Sequence, residues 1–342
     1  MYRGQTVGVV LPAYNEAEHI GSVIESLPAF VDRVYAIDDC STDETWDVIR
    51  EYATVSEQSN QRVAAVSEAA TEEVMVPDGH GGEFPEVVPV QHTVNQGAGG
   101  TLKTGYLLAA RDEMDATVTI DADGQMDPDQ MDRLLDPLVE GRAGFSKGNR
   151  LADSDAAGGM PPFRLLGNWL LTLMMKPASG YWRLRDPQNG YTAISKEALE
   201  SVDIEAIPDD HDYPNDLLAR LNAAGVRVAD VPMEAIYGDE ESTIEFSAFV
   251  KRTSTTILQA FLWRLRKESS QRRPHLAALY SVGTLGVIAG LLAVVSGVLS
   301  ELLPDALAVS WPKSLVTLLG GVLALALAFG TERQSDAEVV RE

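Results

Sequence analysis

The 342-residue sequence predicts an α/β fold with a mostly parallel sheet, followed by an amphipathic basic segment and two apolar helices. Three observations lead there. Short runs rich in Val, Ile and Ala alternate with stretches of helical periodicity between residues 6 and 233, the order in which parallel strands are joined by right-handed helical crossovers. Clusters of Asp, Asn, Tyr and Gly follow several of those runs, and ligands of such sheets lie beyond the C-terminal ends of the strands. Past residue 244 the character changes, first to a basic amphipathic pattern and then to two stretches without a charge.

Residues 6–13 make the first buried strand, and Ile20, Val23, Ile24 and Leu27 form the inner face of the helix after it. Residues 33–37 make the second, ending in Asp38-Asp39-Cys40-Ser41-Thr42-Asp43, where Ser41 or Thr42 can cap a helix carrying Trp46, Val48 and Ile49. Residues 68–86 interrupt the alternation with six carboxylates, no Lys or Arg and a glycine-rich stretch, and read as a solvated loop. His80 and His92 have no partner at ligand spacing and read as structural or solvent-facing. Residues 87–94 form the next strand. The glycines of Asn95-Gln96-Gly97-Ala98-Gly99-Gly100 would let the backbone approach a ligand ahead of a helix, although their spacing matches no phosphate-binding fingerprint. Residues 116–120 are a further strand, with Asp127 as N-cap and Pro128 as first residue of the helix that follows. Residues 143–147 lead into Gly148-Asn149-Arg150, and Arg164 opens an apolar helix after a glycine-rich stretch. The Asp186–Tyr191 turn adjoins a short strand. Asp209 to Asp216 introduce a helix running to Ala224, and residues 226–233 are the last strand.

Composition narrows the class. The net charge is −24 and only seven of the 27 basic residues are Lys, which points to a surface adapted to high salt, as in halophilic archaea, and away from nucleic acid as a partner. The single Cys40 excludes an intramolecular disulfide and a Cys-based zinc site. The first strand begins almost at Met1, so no leader is expected. Residues 244–265 supply apolar helical faces while Lys251, Arg252, Arg264, Arg266, Lys267, Arg272 and Arg273 concentrate positive charge, a pattern suited to a helix lying on a bilayer. Residues 276–300 and 314–330 carry no charge and match a bilayer in length, with Lys313 placed to snorkel; buried core helices are the alternative reading. The basic cluster puts the preceding domain and the C-terminus in the cytoplasm. The expected organisation is a catalytic domain at 1–235, an interface segment at 236–275, two transmembrane helices at 276–330 and a cytoplasmic tail at 331–342.

The chemistry centres on Asp121-Ala122-Asp123-Gly124-Gln125. If the chain stays extended here, Asp121, Asp123 and Gln125 point the same way and offer three oxygens to a hard divalent cation that also holds a diphosphate. In isolation the same residues would also read as an acidic turn capping a helix.

Taken in order, Leu11-Pro12-Ala13-Tyr14-Asn15-Glu16, Asp38-Asp39-Cys40-Ser41-Thr42-Asp43, Asn95-Gln96-Gly97, Asp121-Ala122-Asp123-Gly124-Gln125 and Gly148-Asn149-Arg150 resemble family 2 glycosyltransferases of the GT-A fold. Within that family the chain is most similar to the dolichol-phosphate mannose synthase and polyprenyl-phosphate hexosyltransferase group, over residues 6–233. The resemblance implies an inverting transfer of a hexose from a GDP- or UDP-sugar to dolichyl or polyprenyl phosphate at the membrane. It implies donor contacts at Pro12, Tyr14, Glu16, Ile37, Asp39, Asp121, Ala122 and Asp123, with Mg²⁺ or Mn²⁺ on Asp121, Asp123 and Gln125. It implies catalytic roles for Asp123, Arg150 and Arg164, the arginines holding the acceptor phosphate. Two other readings stay open. Transfer to a hydroxyl of a lipid-linked glycan would need a carboxylate base, for which Asp209, Asp210, Asp212 and Asp216 are candidates. A non-enzymatic, membrane-tethered nucleotide-sugar-binding protein is the third.

Overall fold

The computed structural model describes residues 1–53, 85–150, 172–210, 213–233, 246–271, 273–302, 311–334 and 339–341. Arg164, Asp212 and most of the acidic 68–86 insert lie outside these residues. The strands are β1 (Val7–Ala13), β2 (Arg33–Asp38), β3 (Glu86–Gln91), β4 (Ala116–Thr119), β5 (Phe145–Asn149), β6 (Thr192–Ser195), β7 (Val228–Pro232) and β8 (Val339–Arg341). They form one sheet in the order β3-β2-β1-β4-β6-β5-β7-β8. The helices are α1 (Ile20–Ser26), α2 (Thr45–Glu51), α3 (Gly97–Arg111), α4 (Met131–Val139), α5 (172–179), α6 (Lys196–Glu200), α7 (Tyr213–Ala224), α8 (Phe246–Gln271), α9 (Pro274–Leu302) and α10 (Trp311–Gln334).

The sheet is covered on both faces, and the pleat decides which residue meets which layer. Val9 and Leu11 of β1 join Val34 and Ala36 of β2 in a core with Ile20 and Ile24 of α1 and Leu134 and Leu135 of α4. The intervening Val10, Tyr35 and Ile37 face the opposite layer, with Leu102 and Tyr106 of α3 and Leu217 and Leu221 of α7.

One strand runs against the rest. β6 is antiparallel to both β4 and β5, pairing Thr192 with Thr119 and with Lys147. The beginning of β6 therefore lies on the rim where β1, β2, β4 and β5 end. That reversal brings the Asp186–Tyr191 turn to the same edge as the acidic motif and Arg150.

Two local expectations change. The helix after β2 is not capped by Ser41 or Thr42. Asp43 accepts from the Thr45 amide at 3.0 Å, while Ser41 Oγ and the Thr42 amide and hydroxyl bond to Asn15 across the rim. Asp127 does cap, accepting from the Asp129 amide, but the turn it caps is the 3₁₀ segment Pro128–Gln130 ahead of α4.

α9 and α10 form a hairpin whose seam is lined by glycines. A Cβ on Gly321 would lie 2.4 Å from the Val287 amide nitrogen, and one on Gly290 2.6 Å from Leu318 Cα, so the backbones touch as small residues allow. Spans of 23 and 20 residues have mean hydropathies of 2.1 and 2.0 and are only 17% and 22% buried. Leu285, Leu292, Val316 and Leu323 stand largely exposed. Core helices would turn these side chains inward; this hairpin turns them out.

Candidate active site

The site is built on the rim where β1, β2, β4 and β5 end. Tyr14 stands there 48% exposed. Its neighbour Asn15 has φ +58°, a left-handed turn that Asn tolerates. Glu16 is tied back by its amide to Thr45 Oγ1 at 2.8 Å, and Pro12 is half-buried beside them. Ile37 offers no surface at all, being fully buried in the core. Asp39 is 3% exposed and its carboxylate is committed to the fold. Oδ1 accepts from the Gln96 amide at 2.8 Å and lies 2.7 Å from His92 Nδ1, while Oδ2 accepts from the Gly97 amide at 2.7 Å. His92, 1% exposed, reaches on to Thr104 Oγ1 at 3.0 Å, which bears out its structural reading. Asp39 thus fastens the β3–α3 turn against β2.

That turn corrects a further expectation. The glycines of residues 97–100 do not open a ligand cradle. A Cβ on Gly99 would stand 2.0 Å from the Pro208 carbonyl oxygen, and the Gly99 and Gly100 amides donate to the Asp209 carbonyl at 2.7 and 3.0 Å. The glycines are there so that the chain at 208–209 can lie against the start of α3.

β4 stops at Thr119, so Asp121 to Gln125 is a turn and not the extended segment expected. Gly124 takes φ +72°, and Asp123 Oδ1 accepts from the Gln125 amide at 3.0 Å. The turn nevertheless brings the two carboxylates together. Burial, then the neighbouring Asp123 charge, pushes Asp121 up to about 6; Arg150 and Lys147 act the other way. Ala122 is buried in the core between them. Among the described residues no group of three His, Cys, Asp or Glu side chains converges into a preformed cage. Two crowded carboxylates with an adjoining amide still fit a divalent cation whose remaining positions go to water and phosphate.

Two residues that spacing did not single out complete the rim. Lys147 is 1% exposed and donates to the Asn189 carbonyl. Burial pulls its ammonium down to about 8, against the opposing effect of Asp186, Asp230 and Asp121. Asp186, 4% exposed, grips Arg150 by Nε at 2.8 Å, Nη2 at 3.3 Å and the backbone amide at 3.2 Å. The Arg150 side chain keeps 41% of its surface exposed. A Cβ on Gly190 would fall 2.9 Å from Asp121 Oδ2. The 186–190 turn therefore touches the acidic pair at one end and orients Arg150 at the other. Behind it, Asp230 Oδ2 accepts from Asn149 at 2.9 Å, Oδ1 has no hydrogen-bond partner among the described residues, and burial pushes the carboxyl up to about 6, against hydrogen bonds from Asn149 and the Arg185 backbone. A Lys within a short strand, in a chain with seven Lys in all, was the available signal for this cluster.

The aspartates near residue 210 are less concentrated than their sequence. Asp209 pairs with Lys103 and Asp216 with Arg220, while the exposed Asp210 accepts the Tyr213 amide at its carbonyl. Burial raises Asp216, and Arg220 opposes the shift.

The family model for glycosyl transferase family 2 matches residues 8–72 and 67–203, more than half of the chain. The UDP-N-acetylglucosamine–dolichyl-phosphate N-acetylglucosaminyltransferase of Methanococcus voltae is 26% identical over 230 residues, 67% of this chain and 85% of that protein. The undecaprenyl-phosphate mannosyltransferase of Micrococcus luteus is 26% identical over 227 residues, 66% and 81% of the two chains. Among solved structures, glucosyl-3-phosphoglycerate synthase from Mycobacterium tuberculosis superposes with a TM-score of 0.50 at 23% identity, covering 75% of this chain and 80% of that one, a likeness of fold. The same enzyme has been crystallised with Mg²⁺ and uridine diphosphate, in a form that superposes equally well at 22% identity over 75% of this chain and 79% of that one. On the matched family model and on a sheet whose rim gathers the paired carboxylates and Arg150, the chain belongs to glycosyl transferase family 2 and is a glycosyltransferase of the GT-A fold.

Proposed function

We propose that this glycosyltransferase moves a hexose from a GDP- or UDP-sugar to dolichyl or polyprenyl phosphate at the cytoplasmic face of the membrane. The observation that carries the reading is the 186–190 turn, which abuts Asp121 and grips Arg150, so that a diphosphate site and a phosphate-binding arginine share one rim. Relatives named for dolichyl-phosphate and undecaprenyl-phosphate acceptors support it.

In this reading the donor's base and ribose lie along Pro12, Tyr14 and Glu16, with Asp39 holding the turn behind them. Asp121, Asp123 and Gln125 would hold Mg²⁺ or Mn²⁺, which supplies positive charge to the departing nucleoside diphosphate. Arg150, always charged and forked, orients the acceptor phosphate. An acceptor phosphate oxygen forms the new bond to the anomeric carbon as the bond to the nucleotide phosphate breaks, with inversion, and the nucleoside diphosphate leaves with the electron pair. The acceptor is ionised at neutral pH, so no base is needed. The engagement of Asp209 with Lys103 and of Asp216 with Arg220 occupies two of the four candidate bases that a hydroxyl acceptor would require. Arg164 is proposed as a second acceptor arginine from its motif alone.

The exposed apolar faces of α9 and α10 support two membrane passes, and the pairing of β8 with β7 supports a C-terminal segment on the catalytic side. The acidic, Lys-poor composition supports a high-salt cytoplasm of the kind found in halophilic archaea. The test is to incubate the full-length protein with a panel of nucleotide sugars, Mg²⁺ or Mn²⁺ and dolichyl phosphate, then extract lipids for mass spectrometry. A hexosyl phosphoryl lipid is the expected product. Transfer only to a glycan hydroxyl would overturn the reading.

A further inference from the structure

The largest fully buried side chain among the described residues belongs to Arg264, on the basic helix α8, and it has no exposed surface. Its guanidinium donates to Glu332 Oε1 at 2.5 Å, to the Pro177 carbonyl at 2.5 Å and to the Ala178 carbonyl at 3.1 Å. Glu332, 2% exposed on α10, accepts through Oε2 from Trp182 Nε1 at 2.9 Å and from the Tyr280 hydroxyl on α9. One ion pair thus joins the interface helix, both helices of the apolar hairpin and the 177–182 turn of the catalytic domain. Phe329 packs on Trp182 and Tyr280, with ring centroids 5.0 and 5.7 Å apart, and closes the cluster.

The turn is shaped to receive it. Gly180 has φ +81°, and a Cβ there would lie 2.8 Å from Arg264 Nη1 and 2.7 Å from Asn222 Oδ1. Lys176 Nζ donates to the Trp182 carbonyl at 3.0 Å and Tyr181 hydroxyl to the Val226 carbonyl at 2.7 Å, so the turn is a defined conformation and not a slack connection. Four residues beyond Trp182 comes Asp186, which orients Arg150. A buried charge pair holds its surroundings because removing one partner leaves the other uncompensated in a dry site.

We infer that Arg264 and Glu332 are positioning residues: through them the membrane hairpin sets the 177–186 segment, and with it the Asp186–Arg150 pair that meets the acceptor phosphate. The hairpin is then a working part of the acceptor side and not only an anchor. This rests on the proposed acceptor role of Arg150, and the experiment separates the two ideas. Full-length Glu332→Gln and Trp182→Phe, in nanodiscs, are compared with the parent protein by hydrogen exchange of peptides spanning 177–190, by acceptor KM and by nucleotide affinity. Glu332→Gln should speed exchange in 177–186 and raise acceptor KM, each by about tenfold, with nucleotide affinity held within about twofold. Trp182→Phe, which keeps the ion pair, should move both in the same direction by about threefold, and decides the matter if Glu332→Gln does not insert. Unchanged exchange and unchanged acceptor KM in an inserted variant overturn the inference, as does an equal loss on the donor side. If the parent protein transfers nothing to polyprenyl phosphate, the acceptor reading of Arg150 falls, and the coupling of hairpin to turn is upheld or overturned by exchange alone.

Discussion

Asp123 bends its own backbone as well as charging the site, because its Oδ1 accepts the Gln125 amide. Asn keeps that bond and loses the charge, whereas Ala loses both. Asp123→Asn should therefore fold and melt like the parent while transfer falls at least about a hundredfold, the scale of removing a principal charge-stabilising group; turnover within tenfold of the parent in excess Mn²⁺ would refute the assignment. Arg150→Ala should raise acceptor KM or lower turnover by about one to two orders of magnitude, since each 1.4 kcal/mol is about tenfold, and affect nucleotide binding less. Separate donor and acceptor kinetics check it. Asp230 yields a pH prediction. Its folded pKa of about 6 lies above the unfolded value, so its contribution to stability is present below about pH 4 and is lost as pH climbs through 6. Asp230→Asn should raise the melting temperature at pH 8, by up to about 3 kcal/mol of stability, and leave it nearly unchanged at pH 4. The acidic motif and Arg150 were legible in the sequence because their spacing is local. Lys147, Asp186 and Asp230 were not, because their meaning lies in burial and in hydrogen-bond partners from 36 to 81 residues away.

At the element level, legibility followed periodicity. β1 to β7 follow apolar patterns and were read close to where they lie, whereas β8, in a segment expected to be a tail, and the short α6 were not read. The cap of α2 was misassigned because Ser41 and Thr42 serve a contact across the rim with Asn15, which no local rule contains. The Gly97–Gly100 run was misread for a related reason. Gly permits close approach without saying what approaches, and here it is chain from residues 208–209. Gly99→Ala should accordingly destabilise the protein by about 1–3 kcal/mol or more, as overpacking does, with an effect on nucleotide binding only through lost folded protein. Thermal unfolding followed beside nucleotide titration of the folded fraction checks this, and a stable Gly99→Ala that fails to bind nucleotide would return the loop to ligand duty.

Over the whole molecule, charge sets the conditions of work. A net charge of −24 repels itself, and the screening length shrinks from about 8 Å at physiological ionic strength to about 3 Å at 1 M. Melting temperature should therefore rise steadily with KCl up to molar concentrations; a protein equally stable at about 0.1 M would refute the high-salt reading. The buried Arg264–Glu332 pair should respond little to salt, being sealed from it. Removing residues 276–342 would leave Arg264 facing an empty place and the outer edge of β7 unpaired, so such a truncation should lose acceptor use even on short, soluble polyprenyl phosphates.

The pairing of β8 with β7 also has a consequence in time. β8 follows both apolar helices in sequence, so it leaves the ribosome after them. While translation continues, the edge of β7 is a row of open amides and carbonyls, the kind of surface on which chains aggregate. It is covered only when the hairpin has been made and β8 has paired with it. On the proposed two-pass reading, completion of the sheet would record that membrane insertion had succeeded, and a chain whose hairpin stayed in the cytosol would keep an exposed edge by which quality control could find it.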